Sequence, residues 1–236
     1  MSDAITAGLS RQTGLLKELR ILASNVANAS TEGYKREASV FTEYVSRRDE
    51  GSLSLGSLRG RYAVMEDGAL RKTGGTYDLA LSGRGFFAVQ RGDDVLLTRA
   101  GRFQTNAEGL LVTPQGHPVL GEGGGVIEVP PESREVVVSP DGTVSIDGLA
   151  TARLGVFDAP GGSLMRAGDT LWQPTEAYTF VDEAVLHQGF LEQSNVNPVM
   201  EIARLTEAQR LFEAGTDLAD AEHRRLESLI RTLSEL

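Results

Sequence analysis

Apolar residues recur at spacings of four and three at both ends of the chain and alternate over short runs between them. Ile5, Leu9, Gln12, Leu16, Leu19, Ala23 and Val26 form one seam with Gln12 as its polar member. That spacing predicts an amphipathic helix burying a single stripe. The last zone repeats the pattern over about five heptads, through Ile202, Leu205, Gln209, Phe212, Thr216, Ala219, His223, Leu226, Ile230 and Leu233. Asn197-Pro198 marks its start, an N-cap followed by proline at the first helical position. At about 1.5 Å per residue the helices span roughly 39 and 55 Å, long for a domain of this size.

The middle reads as short strands at Leu79 to Leu81, Phe86 to Gln90, Val95 to Thr98, Leu110 to Val112, Val126 to Val129, Glu135 to Val138, Thr143 to Ile146 and Arg153 to Phe157. Turn chemistry separates them: Gly92-Asp93-Asp94, Pro114-Gln115-Gly116, Asp141-Gly142, Asp147-Gly148. Close turns without intervening helical patterns predict an antiparallel, hairpin-built domain rather than a βαβ fold. Of 27 glycines, 22 lie between Gly51 and Gly168, so the residues from 46 to 75 read as an extended or irregular connector. The expected fold class is α+β: an antiparallel β-rich centre carried on a coiled-coil-like stalk of both terminal helices. The expected divisions are 1–30 for the N-terminal helix, 31–75 for the connector, 76–185 for the β domain and 186–236 for the C-terminal helix.

Charge and composition narrow the chemistry. A net charge of -10 argues against nucleic acid, whose phosphates need clustered Lys and Arg. No apolar run approaches the roughly 18 residues of a membrane span, and the start MSDAITAGLS lacks the basic and apolar regions of a cleaved signal. A cytoplasmic protein, or one exported without a cleaved signal, fits both observations. With no Cys there is no disulfide and no thiolate chemistry. His117, His187 and His223 are far apart and offer no metal-ligand spacing. Gly83-Arg84-Gly85 opens like a dinucleotide loop, but Ala88 stands at the third glycine position and Phe86-Phe87-Ala88-Val89 reads as a strand. Asp141 through Asp147 lacks the alternating carboxylates of a calcium loop and is read as hairpin turns. The expectation is no enzyme, no cofactor and no metal. Two other classes stay open. A carbohydrate- or peptide-binding β module on a helical stalk would need an aromatic cluster, and the one tryptophan, Trp172, gives little sign of it. A hydrolase would need a carboxylate pair, and none is identified among the Asp and Glu residues.

Four stretches then carry a resemblance. Ser24-Asn25-Val26-Ala27-Asn28-Ala29-Ser30-Thr31-Glu32-Gly33-Tyr34-Lys35, Asp78 through Gln90 (DLALSGRGFFAVQ), Thr98 through Asn106 (TRAGRFQTN) and Gln188 through Pro198 (QGFLEQSNVNP) resemble, in this order, the motif blocks of the bacterial flagellar rod and hook proteins. Ser24 departs from the asparagine common at its position in that family. Short length, a modest centre and the opening Gly8-Leu9-Ser10-Arg11-Gln12 look most like the proximal rod member, with the distal rod member or a hook-type axial protein as alternative. The resemblance implies a structural subunit of the basal-body rod that polymerises helically, transmits torque and forms part of the export channel. It implies export through the flagellar type III apparatus, a periplasmic position, and partnership with other rod subunits and with itself. Terminal helices would pack as an inner tube beneath an outer β layer. Subunit contacts are expected at Ile5, Leu9, Gln12, Leu16, Leu19, Asn25, Asn28, Thr31, Gly33, Tyr34, Lys35, Ile202, Leu205, Gln209, Phe212, Leu226, Ile230 and Leu233. Gly33 would turn the chain from the inner helix into the connector, outside the β core, while Tyr34 and Lys35 reach a neighbour. Gln12 and Gln209, the amides early in the two seams, are candidates for fixing helix register.

Overall fold

The computed structural model describes residues 2–48, 51–160, 163–168 and 170–234; within these, the side chains of 2–7, 41–48, 51–59, 226, 229, 230 and 232–234 lie outside the description. The expected contact residues Ile5, Leu226, Ile230 and Leu233 therefore fall outside the described side chains. The chain forms two helices, α1 (Ser2–Ala27) and α2 (Pro198–Ser234), with a β-rich region between them, an α+β arrangement. Among the described residues no helix is long and apolar enough to cross a membrane. Two compact units result: one of Met1–Ala27, Arg36–Val64 and Val196–Leu236, the other of Asn28–Lys35 and Met65–Asn195.

In the helical unit, α2 begins where the sequence predicts. The Asn197 side-chain oxygen accepts the Met200 N–H (3.3 Å), the Asn197 carbonyl accepts the Glu201 N–H (3.0 Å), and Pro198 occupies a position whose missing N–H costs nothing. Glu201 stands in the first turn, where the helix dipole favours a carboxylate. The segment read as an extended or irregular connector is extended and paired, a long antiparallel hairpin of β1 (Glu37–Arg48) on β2 (Gly51–Ala63) with a bulge between Val40 and Phe41. The Gly and Ser residues of β2, at Gly51, Ser52, Ser54, Gly56, Ser57 and Gly60, leave that strand without a strong β signal of its own.

The seam of α1 is rotated from its expected position. Leu15, Ile21, Leu22 and Asn25 are buried, while Leu9 (64% exposed) and Leu16 (42% exposed), both members of the expected seam, face outward. The cause is polar. The Asn25 amide donates to the Glu37 carbonyl (2.8 Å) and to Glu201 Oε2 (2.9 Å), and its oxygen accepts the Glu37 N–H (3.0 Å). A side chain with no exposed surface and three bonds to fixed partners dictates which face of α1 turns inward. Leu15 and Leu22, ten and three residues before it, share that face; Leu9 and Leu16 do not.

On α2, Ala208 and Glu201 are buried, Leu205 and Phe212 are half-buried, and Ile202 and Gln209 are exposed. Gln12 and Gln209 therefore do not meet. Gln12 donates instead to the Thr216 hydroxyl (3.3 Å), beside Gly215, where a Cβ would stand 3.7 Å from the Gln12 side chain.

The β unit is built from antiparallel pairs. A six-stranded sheet runs Leu164–Gly168, Leu171–Pro174, Asp94–Thr98, Phe86–Arg91, Val156–Asp158, Thr179–Phe180 in spatial order, and a three-stranded sheet runs Leu149–Arg153, Thr143–Ile146, Val136–Val138. Phe87, Val89 and Leu96 are completely buried, and Phe87 meets Phe103 edge to face at 5.2 Å. Val126 to Val129, expected as a strand, forms only isolated bridges. The expected strand from Arg153 to Phe157 is broken at Gly155, where a Cβ would lie 2.5 Å from the Phe157 ring. The hairpin of Leu164–Gly168 and Leu171–Pro174 has no counterpart in the sequence reading.

The rotation of α1 can be measured in the isolated chain. Leu15→Ala should cost about 2–4 kcal/mol in urea unfolding followed by helical circular dichroism, whereas Leu16→Ala should cost less than about 0.5 kcal/mol. The reverse order would mean that the heptad seam, not the Asn25 face, is the buried one.

Candidate functional site

Residues 28 to 35 leave α1 and enter the β unit through a tight polar turn. The Thr31 N–H bonds the Asn28 carbonyl (3.1 Å), the Tyr34 N–H bonds the Thr31 carbonyl (3.3 Å), and the Thr31 hydroxyl meets the Asn28 side chain (3.2 Å). Gly33 follows with φ of 68°, and its N–H donates to the Glu192 carbonyl at 2.8 Å. A Cβ at Gly33 would lie 2.2 Å from the Ala100 nitrogen and 2.4 Å from the Arg99 carbonyl carbon. Both the dihedral and the space exclude a side chain. Gly33 is thus pressed against the β domain, which corrects the expectation that it acts outside that core.

Beyond Gly33 the chain places Tyr34 and Lys35 inside, each only 1% exposed. Lys35 Nζ donates to Glu192 Oε1 (2.6 Å) and to the Glu66 carbonyl (2.7 Å), with Asp67 at 3.9 Å. Arg99 completes the cluster. Its Nη1 lies 3.3 Å from Glu192 Oε2 and 3.5 Å from Asp67, its Nη2 donates to the Gly83 carbonyl, and its guanidinium sits 5.4 Å from the Phe86 ring centroid. Glu192 also accepts the Gly68 N–H (2.9 Å), and Asp67 accepts that of Gly83 (2.9 Å). Two buried cations thus meet one buried carboxylate and one half-exposed one. Removing ions from water costs several kcal/mol each, which only multiple charge-assisted bonds offset. Glu192 has them on both oxygens. Burial pulls the Lys35 ammonium below the ordinary lysine value, and the Glu192 carboxylate partly restores it.

A stack holds the same segment from another side. The Arg166 guanidinium lies over the Tyr34 ring at 4.4 Å and over the Trp172 ring at 4.3 Å, and it donates to the Lys35 carbonyl at 2.9 Å. Asn195 adds its backbone N–H to the Tyr34 carbonyl (3.4 Å) and its side chain to that of Glu66 (2.9 Å). Near the turn, Glu32 accepts from Arg71 (2.7 Å) and Arg102 (2.6 Å). The four motif stretches therefore meet at one place: Gly33, Tyr34 and Lys35 from the first, Gly83 and Phe86 from the second, Arg99 and Ala100 from the third, Glu192 and Asn195 from the fourth.

The expected contact residues separate into groups. Leu9, Leu16, Ile202 and Gln209 are exposed; Gln12, Leu19, Asn28, Thr31, Leu205 and Phe212 are half-buried; Asn25, Gly33, Tyr34 and Lys35 are buried within their own units. Tyr34 and Lys35, expected to reach a neighbour, are thus engaged inside the chain because Glu192 and Arg166 offer them buried partners. Sequence reasoning quoted Arg99 and Glu192 without giving them a role and missed Arg166. The available signal was a charged residue between strand-like apolar neighbours, in LLTRAG and GFLEQ. The turn carboxylates are also accounted for: Asp141 bonds Thr143 and Asp147 bonds the N–H groups of Arg134 and Glu135.

Lys35→Met leaves the buried Glu192 short of its principal partner and should cost about 3 kcal/mol, whereas Asp67→Asn, at a half-exposed position, should cost under about 1 kcal/mol. Urea unfolding followed by Trp172 fluorescence checks both. The lowered Lys35 value means that the unfolded chain binds this proton more tightly. Stability should therefore rise with pH in the alkaline window below 10.5, and be lost again as pH falls through it. The same titration of Lys35→Met should lack that part of the slope.

Comparison with known proteins follows the same blocks. Residues 5–35 match the family described as flagella basal body rod protein, residues 80–146 the flagellar hook protein FlgE/F/G D1 domain, and residues 187–232 the flagellar basal body rod FlgEFG protein C-terminal family. The flagellar basal-body rod protein FlgF of Caulobacter vibrioides is 40% identical over 244 residues, covering 100% of both chains. FlgF of Mesorhizobium japonicum is 33% identical over 99% of this chain and 98% of its own, and FlgG of Bacillus subtilis is 29% identical over 98% of each. Carried by these full-length likenesses and by the buried joint that the motif blocks build together, the chain belongs to the flagellar basal-body rod protein family, as a FlgF-like structural rod component.

Proposed function

We propose that the chain is a subunit of the proximal rod that polymerises helically, transmits torque and forms part of the wall of the export channel. The observation that carries this reading is an apolar stripe left uncovered on each helix. Leu9 and Leu16 on α1, and Met200, Leu211 and Leu218 on α2, are all more than two-fifths exposed after the helices have used their Asn25 and Ala208 faces against each other. Two outward stripes on one helix pair favour packing against neighbours, and a heterologous contact whose rotation does not close builds an open helical tube. In this reading α1 and α2 act as a coiled-coil-like stalk in the inner layer and the β unit lies outside it. Ile5, Ile202, Leu226, Ile230 and Leu233 join the contacts between subunits.

The partners are then other rod subunits, proximal and distal, and further copies of the chain. Delivery runs through the flagellar type III export apparatus to the periplasm. The role is mechanical, with no catalytic step. A distal-rod or hook-type axial placement is the second reading, kept beside the first because FlgG, another basal-body rod protein, is similar over 98% of each chain.

The double variant Leu9→Asp, Leu16→Asp tests the assignment of the stripes. Its monomer should unfold at nearly the wild-type urea concentration, since both positions face water, yet it should be absent from purified basal bodies and leave cells non-motile. Normal incorporation would overturn the role of these stripes.

A further inference from the structure

Residues 28 to 35 belong to the β unit, yet the chain on either side of them, through Ala27 and from Arg36, belongs to the helical unit. No peptide bond within the β unit therefore holds this segment in place; its contacts do. Those contacts have the parts of a specific peptide complex. Gly33 is admitted only because it lacks a Cβ. Its N–H and the carbonyls of Tyr34 and Lys35 are hydrogen-bonded by Glu192, Asn195 and Arg166. Tyr34 is a buried aromatic anchor under a guanidinium, and Lys35 is a charged anchor in a socket whose floor is Glu192. Backbone bonds supply binding, and anchors at successive positions supply selection.

We propose that the β domain is a receptor for the Thr31-Glu32-Gly33-Tyr34-Lys35 segment, filled here by the chain's own copy and able to take the same segment from a second copy. Exchange of an identical element replaces each contact with its equivalent, so its cost lies mainly in the linkers. In dilute solution the tether favours the chain's own segment, and crowding of subunits shifts the balance toward exchange. The inference does not depend on rod assembly and is tested on purified protein.

The acceptor is the full chain with Gly33→Val, which cannot seat its own segment. Its sole tryptophan, Trp172, reports on the socket through Arg166. A synthetic peptide of residues 28–36 should restore the wild-type Trp172 emission. The same peptide with Lys35→Met should bind about a hundredfold more weakly or worse, since it removes the shortest charge-assisted bond of the buried Glu192. Should Gly33→Val not fold, the Lys35→Met chain, whose backbone fits, serves as acceptor for the wild-type peptide. Mixed with a donor chain carrying Glu192→Met, whose segment is intact, the acceptor should sediment as a heterodimer. Failure of the wild-type peptide to restore emission in either acceptor, or equal binding of the Lys35→Met peptide, would overturn the receptor. Restoration by peptide with only monomers in the mixture would overturn exchange between copies.

Discussion

A single buried contact, Lys35 to Glu192, ties together segments that are 157 residues apart in the chain. Both side chains are almost wholly removed from water, so loss of either deprives the other of its shortest charge-assisted bond. The constraint spreads outward. For Lys35 to reach Glu192, the chain before it must pass the Arg99–Ala100 backbone, which admits only glycine. For Glu192 to be satisfied on both oxygens, Arg99 and the Gly68 N–H must converge on it, which fixes the entry to the strand at Leu70–Lys72 and the exit from the strand at Asp94–Thr98. Buried charge of this kind contributes little net stability compared with an apolar replacement; its value lies in permitting one arrangement and penalising the rest.

Asn25 does the corresponding work in the helical unit. One amide satisfies the backbone of Glu37 and the carboxylate of Glu201, itself bonded by Arg36 (3.3 Å) and Arg204 (3.0 Å). Its consequence is the orientation of α1. By turning Leu15 and Leu22 inward it leaves Leu9 and Leu16 outward, so a polar residue in the interior determines which apolar residues stay exposed. The signature stretch from Ser24 to Lys35 thus carries the pivot of each unit, Asn25 in one and Lys35 in the other.

Much of the architecture was legible because it rests on local rules. Helical periodicity, the Asn197-Pro198 start and most central strands follow from neighbours within a few residues. The resemblance of four motif stretches gave the family. What the sequence concealed were decisions made by distant partners. The heptad of α1 is real, but α1 carries two adjacent apolar stripes, and the choice between them belongs to Glu37 and Glu201. Tyr34 and Lys35 look like exposed residues after a glycine turn until Arg166 and Glu192 are placed beside them. The Gly- and Ser-rich stretch from Gly51 to Gly60 reads as extended or irregular by composition, and its pairing with β1 is what makes it a strand.

The coupling between Lys35 and Glu192 tests this account most directly. A double-mutant cycle of Lys35→Met, Glu192→Met and the double variant, measured by urea unfolding with Trp172 fluorescence, isolates the pair from its surroundings. The account predicts that each single change is strongly destabilising and that the double change recovers much of the loss, with a coupling of at least about 2 kcal/mol. Additive effects, with the double variant as unstable as the sum of the two singles, would contradict it.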